Sequence, residues 1–347
     1  MSNIQNCRPL KALEDIGKKF PLAWKLTHSF RSGRGKGLPL WPEWCYLPLA
    51  ASAAIVTQNT SSHQEMLDAA VNISRLGALA AWRMTKGIYR FDPDVLEDLK
   101  DTTLVDEIPN EIFFRLPEWC VYCETPGMTW MNMQLFGMWV HLEWDVNTER
   151  HELRFLLDTN DDGLIPVILH LGHWTLSEGI KRATNEAKKH GPGIFDQIGR
   201  QFNEISTNEI QPLVSMILYL CSQSSEINSK TGGSEGPGNP VEKAVKGGPR
   251  LFPKDKISTW NVGVRMGVAL RTSKRQRENT MGESASAHRT HIRRAHWHMF
   301  RFGPMKDQSG TQIPTTQRQY NLKWLHPILV NAEQTNEELP ATIRKVT

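Results

Sequence analysis

Between Trp119 and Asp158 the chain carries three segments that favour strands: "WCVYCE", "MQLFGMWVHLEWD" and "HELRFLLD". They are rich in β-branched and aromatic residues, which fit a pleated surface, and "TPG" and "DTNDDG" interrupt them as turns. "EIFFRL", just upstream, reads as a further strand. A block of consecutive strands beside helical patterns points to an α+β fold, an antiparallel sheet packed by helices.

The helical patterns flank this block. From His63 to Lys86, the apolar stripe Met66, Ala69, Ala70, Ile73, Leu76 and Ala80 follows a Ser62–Glu65 capping box, with Gly87 placed to end the helix. Leu176–His190 opens with the box Thr175–Glu178 and stops at "GPG". A third helix is expected to start at Pro212 and carry "LVSMILYLC". Residues 1–222 therefore form the expected acidic, aromatic-rich α+β domain. Residues 223–256, dense in Gly, Pro, Ser and Lys, read as a flexible linker or long loop. Residues 257–347 form the expected C-terminal module, a basic helix plus a β-hairpin. Ile257–Glu278 reads as that helix, with Val262, Met266, Val268, Ala269 and Trp260 as candidates for its apolar face and Arg265, Arg271, Lys274, Arg275 and Arg277 around the rest. "GPMKDQSGTQIP" is the expected hairpin loop, leading to the strand "QYNLKWLHPILVN".

Charge divides along the same line. Phe91–Asp162 holds 17 acids and 4 bases, whereas Ile257–Thr347 holds 14 bases and 6 acids. A basic C-terminal part suggests a polyanion such as nucleic acid, or a contact with the chain's own acidic half. The N-terminal stretch lacks a signal-like apolar run, and "LPLAASAAIV" is too short to span a bilayer. Five irregularly spaced cysteines suggest reduced thiols. A cytoplasmic protein without membrane contact is the expectation.

Several motifs weaken when their chemistry is completed. "DTNDDG" starts like a calcium loop, but Leu169 stands where the bidentate glutamate belongs, so a hairpin turn is the better reading. Cys120 and Cys123 lack a matching second ligand pair and lie in a strand-like segment. His170 and His173 have no nucleophile set up beside them and read as polar tips at a strand-to-helix corner. No phosphate loop, dinucleotide fingerprint, nucleophile elbow or zincin helix is present. No metal or other cofactor is expected.

The densest chemistry lies in "HRTHIRRAHWHMFRFG", His288–Gly303. In an extended chain Arg294, His296 and His298 share one face, opposite His291, Arg293, Trp297 and Arg301. Arginine beside imidazoles and without carboxylates disfavours a dication and suits an anion, the arginine fork binding phosphate bidentately. His291, Arg293, Arg294, His296 and His298, with the helix cations Arg265, Arg271, Lys274, Arg275 and Arg277, are thus the anion- or nucleic-acid-contact candidates. A structural, hydrogen-bonded strand stays open beside this. As chemistry, His296 and His298 with Arg294 supply a base, an acid and a phosphate cation for metal-independent RNA cleavage. Against it, same-face histidines two residues apart lie about 7 Å apart at Cα.

"HIRRAHWH" and "NLKWLHPILVN" resemble the C-terminal signature of the second type V-A anti-CRISPR family. "AAWRMTKGIYRFD", "LPEWCVY" and "WNVGVRMGVALR" agree in the same order, so the resemblance runs from Ala80 to Asn331. The resemblance implies a factor that lowers production of the effector nuclease: it recognises the effector's nascent N-terminal segment, and the encoding mRNA is lost. The implied partners are that nascent peptide and, beside it, the message, the ribosome or host RNA-decay factors. It leaves open whether the chain cuts RNA itself. A ribonuclease and a DNA-binding regulator of a phage or plasmid remain the rival readings.

Overall fold

A computed structural model describes residues 7–58, 63–104, 107–159, 164–190, 207–222, 225–229, 236–246, 248–280, 291–293, 295–314, 317–325 and 328–330. In chain order the elements are α1 (Arg8–Lys19), α2 (Ala23–Gly33), α3 (Leu49–Val56), α4 (His63–Thr85), β1 (Gly87–Phe91), α5 (Pro93–Lys100) and α6 (Asn110–Phe113). Four long strands follow: β2 (Cys120–Trp130), β3 (Met133–Trp144), β4 (His151–Thr159) and β5 (Leu164–His170). Then come α7 (Leu176–His190), α8 (Thr207–Cys221), β6 (Ile227–Ser229), β7 (Lys243–Val245), β8 (Gly248–Arg250), β9 (Ser258–Val262) and α9 (Val264–Thr280). The C-terminal strands are β10 (His291–Arg293), β11 (His296–Phe302), β12 (Gln319–Leu325) and β13 (Ile328–Val330).

The fold is α+β, a sheet of seven strands in the order β5-β4-β3-β2-β1-β9-β6 with helices on both faces. β2 to β5 form an antiparallel meander, while β1 runs parallel to both β2 and β9. β3 is buried along nearly its whole length because both of its faces are covered. On one face Ile88, Cys120, Tyr122, Trp139 and Leu156 pack against α1 to α4. On the other, Tyr89, Val121, Cys123, Val140, Leu153 and Phe155 pack against α5 to α9 and the β11–β12 ribbon. Alternation along β2 thus sends Cys120 and Cys123 to opposite faces, each buried as a free thiol.

Local structure differs from the sequence reading at several points. "EIFFRL" forms the single helical turn α6 after Pro109, burying Ile112 and Phe113. "TPG" does not end a strand: β2 continues through it by a register shift between Glu124 and Met128. The left-handed residue after α4 is Lys86, at φ 50°, and not Gly87. Gly87 is needed for another reason, since a Cβ there would overlap the Glu118 carboxylate. α8 begins at Thr207, which leaves Pro212 inside it. Ser62 of the first capping box, the "GPG" stop and residues 160–163 of "DTNDDG" lie outside the described residues. Of the second box only the cap bond forms: the Glu178 amide donates to Thr175 Oγ1 at 3.4 Å, while the Glu178 carboxylate pairs with Arg182.

The expected boundary between residues 222 and 257 is crossed by the sheet. Ser258–Val262 is strand β9, paired with β1 over five residues, so the basic helix starts only at Val264. Its inward side chains are Met266 and Leu270, while Val268 is 53% exposed. Within the expected linker, β6 pairs with β9, Asn239 Oδ1 accepts the Trp119 amide at 2.7 Å, and the Lys254 amide donates to Met84 O at 3.0 Å. No helix among the described residues is long and apolar enough to cross a membrane.

Candidate functional site: an ion-paired cleft and a basic ribbon

A cleft of about 900 Å³ opens where the start of α1 passes over β1, β2 and β3. Arg8 and Leu10 form one wall, Ile88, Arg90, Tyr122 and Glu124 the sheet floor, and residues 255–257 the far wall. The Arg8 guanidinium lies 3.8 Å above the Phe136 ring and donates through Nε to Asp158 Oδ2 at 2.9 Å. Tyr122 OH donates to the same oxygen at 2.9 Å, so the buried Asp158 carboxylate is held from two sides. Arg90 grips Glu124 bidentately, at 2.8 and 2.9 Å. Hydrogen bonding to their carboxylates raises the pKa of both Arg8 and Arg90. Burial pushes the Cys7 thiol up, which withholds the thiolate a nucleophile needs.

Two carboxyls in the sheet layer are deeply buried. Burial pushes Glu118 up to about 7, against the Lys254 ammonium 3.8 Å away. It pushes Glu143 up to about 8, although one oxygen accepts the Leu49 amide at the start of α3, at 2.7 Å. Glu152 runs the other way: burial opposes its charge, but Arg154, His170 and Arg150 hold it far below the usual carboxylate range. His170, one of the corner histidines, sits 3.5 Å from Glu152, and His173 is exposed. Among the described residues no group of three metal-ligating side chains gathers.

Of the sequence-predicted cations whose side chains are described, three are engaged by acids of the chain. On α9, Arg271 Nη1 donates to Asp92 Oδ1 at 3.0 Å and Asp94 Oδ2 at 2.7 Å, and Lys274 Nζ to Asp94 Oδ1 at 2.8 Å. Arg265 pairs with Glu226 at 2.9 Å. These three cations meet the chain's own acids. Arg275 is exposed, and the side chain of Arg277 lies outside the described residues. His291 and Arg293 lie in β10 without described side chains, and Arg294 is outside the described residues altogether. His296 and His298 do share a face of β11, with ring centroids 6.4 Å apart, while Trp297 packs inward against the core. The cleft itself was missed. Its residues are scattered from Cys7 to Thr259, and no spacing in the sequence joins them.

A model of the anti-CRISPR type V subtype A2 family matches residues 89–332. The chain belongs to this family. The match spans β1 through β13 and leaves out α1 to α4, which supply the Arg8 wall of the cleft. Protein FinQ of Escherichia coli is 26% identical over 296 residues, which cover 76% of this chain and 78% of FinQ. The crystal structure of AcrVA2 superposes with a TM-score of 0.60 at 21% identity, over 93% of this chain and 98% of that one, and so shares the fold.

Proposed function

We propose that this family member inhibits type V-A CRISPR systems by binding the nascent N-terminal segment of the effector nuclease and causing loss of its mRNA. The family membership supports the anti-CRISPR part of this reading. The observation that carries the binding part is the cleft, whose floor sets Ile88 and Tyr122 beside the Arg90–Glu124 pair and whose wall carries Arg8. An extended polypeptide fits such a floor: its apolar side chains cover Phe136 and Ile257, and its charged ones exchange with the Arg90–Glu124 pair. Glu124 is the accessible carboxylate, at 34% side-chain exposure, and invites a lysine of the ligand. A binding factor is favoured over a groove-reading DNA regulator because the α9 cations Arg265, Arg271 and Lys274 already meet acids of the chain.

The test co-expresses the protein with an effector that carries either its own or an unrelated N-terminal segment, and follows effector protein and mRNA. Loss of message only with the native segment is the expected result, and Phe136→Ala should restore the message. Equal loss with both segments would sink the peptide reading. A ribonuclease reading would require purified protein to cut RNA in EDTA, with His296→Ala abolishing the cleavage.

A further inference from the structure

We infer that the outward face of the β11–β12 ribbon is a stacking platform for single-stranded RNA. The ribbon's pairing fixes which residues face the same way: His296 lies opposite Leu325, His298 opposite Lys323, and Phe300 opposite Asn321. Alternate residues point in. Trp297 and Met299 pack on the core, and Leu322 and Trp324 are buried within it. His296, His298, Phe300 and Phe302 therefore line up on the other face, at successive steps of about 7 Å. The His298 and Phe300 rings stand 4.3 Å apart, and Phe300 and Phe302 are each 40% exposed.

Four rings in a row on an exposed sheet face is an expensive arrangement in water unless something covers it. Charge decides what does. On that face the pairing places Lys323, the joining loop exposes Lys306, and residues 295–325 hold one acid, Asp307. That acid is turned into its own loop, accepting from the Ser309 and Thr311 amides at 2.9 Å each. Lys323 lies opposite His298, and Arg115 reaches the ribbon from the end of α6, donating to Asn321 Oδ1 at 3.0 Å. Aromatic rings at strand spacing, flanked by cations, match bases and phosphates of a single strand. A duplex keeps its bases inside and offers the rings nothing to stack on. With its oxygen taken by Arg115, Asn321 keeps an amide NH₂ beside Phe300, a donor for a 2′-hydroxyl. This surface is separate from the cleft, and its RNA binding does not depend on the effector reading.

Fluorescence anisotropy of purified protein with a short labelled oligouridylate, its deoxy counterpart and an RNA duplex tests the inference without effector or ribosome. The RNA single strand should bind tightest. Phe300→Ala should weaken it roughly tenfold, Phe300→Tyr should hold it, and Lys323→Gln should flatten the salt dependence by about 0.7 in log–log slope. Asn321→Ala should bring RNA and DNA single strands level. Phe302→Ala, at the ribbon's far end, reads out the same stacking if Phe300→Ala fails to fold. No RNA binding by the native protein, equal binding of the duplex or of the DNA single strand, or unchanged affinity in the folded phenylalanine variants would each overturn it.

Discussion

Helix α9 and the β11–β12 ribbon are both basic and both C-terminal, yet they meet opposite fates. On α9, Arg271 and Lys274 turn toward Asp92 and Asp94 at the start of α5, and Arg265 toward Glu226. Asp92 also caps α5, accepting the Asp94 amide at 3.0 Å, so one carboxylate joins two helices. The ribbon instead turns Trp297 and Trp324 toward the core and leaves Phe300, Phe302 and Lys323 on the other face. A count of positive charge treats the two alike. What separates them is the tertiary setting: Arg265, Arg271 and Lys274 of α9 lie against Glu226, Asp92 and Asp94.

The contrast is broken most severely from the ribbon's inward side. Trp324 is fully buried and donates through Nε1 to Thr102 Oγ1 at 3.1 Å, so Trp324→Ala should cost about 3–5 kcal/mol in denaturant unfolding. The half-buried Trp297 should cost distinctly less on the same substitution. If Trp297→Ala matches Trp324→Ala, the ribbon faces are not as distinct as described. On the helix side, a Cβ at Gly267 would overlap the Asp92 carboxylate, so Gly267→Ala should push α9 off α5 at a cost of about 1–3 kcal/mol. A neutral result would mean that the helix has room to shift.

Acid separates the two regions by another route. Lys274 and then Arg271 hold the Asp94 carboxyl below its ordinary value of 3.8, with burial opposing between them. The folded pKa is depressed, so the docking stability is present above about pH 4 and is lost as pH falls through the folded value. Hydrogen exchange should show α9 losing protection in that window ahead of β11 and β12. The sheet's buried acids have the opposite sign. Glu118 and Glu143 titrate near 7 and 8 in the fold against 4.5 ordinarily, so global stability should decline as pH rises from about 4.5 to 8. Glu143→Gln, which keeps an oxygen for the Leu49 amide, should flatten that decline, and an unchanged slope would remove Glu143 as its source. The smallest effect belongs to Arg265, whose side chain is 89% exposed: Arg265→Ala should change stability by less than about 1 kcal/mol.

Strand-forming chemistry and helical stripes are local, and they made most of β2 to β5, α4 and α7 legible in the sequence. The ribbon's alternation was legible too, because a two-residue period places His296 and His298 opposite Trp297 without knowledge of any partner. "EIFFRL" misled because its six residues suit either structure until Ile112 and Phe113 find the core beside α8. Joining β9 to β1 requires a contact between residues 87–91 and 258–262, and nothing local in either segment names the other. The cleft and the pairing of Arg271 and Lys274 have the same cause. Arg8 meets Asp158 and Arg271 meets Asp92 across 150 and 179 residues, and only the folded chain brings such charges within hydrogen-bonding distance.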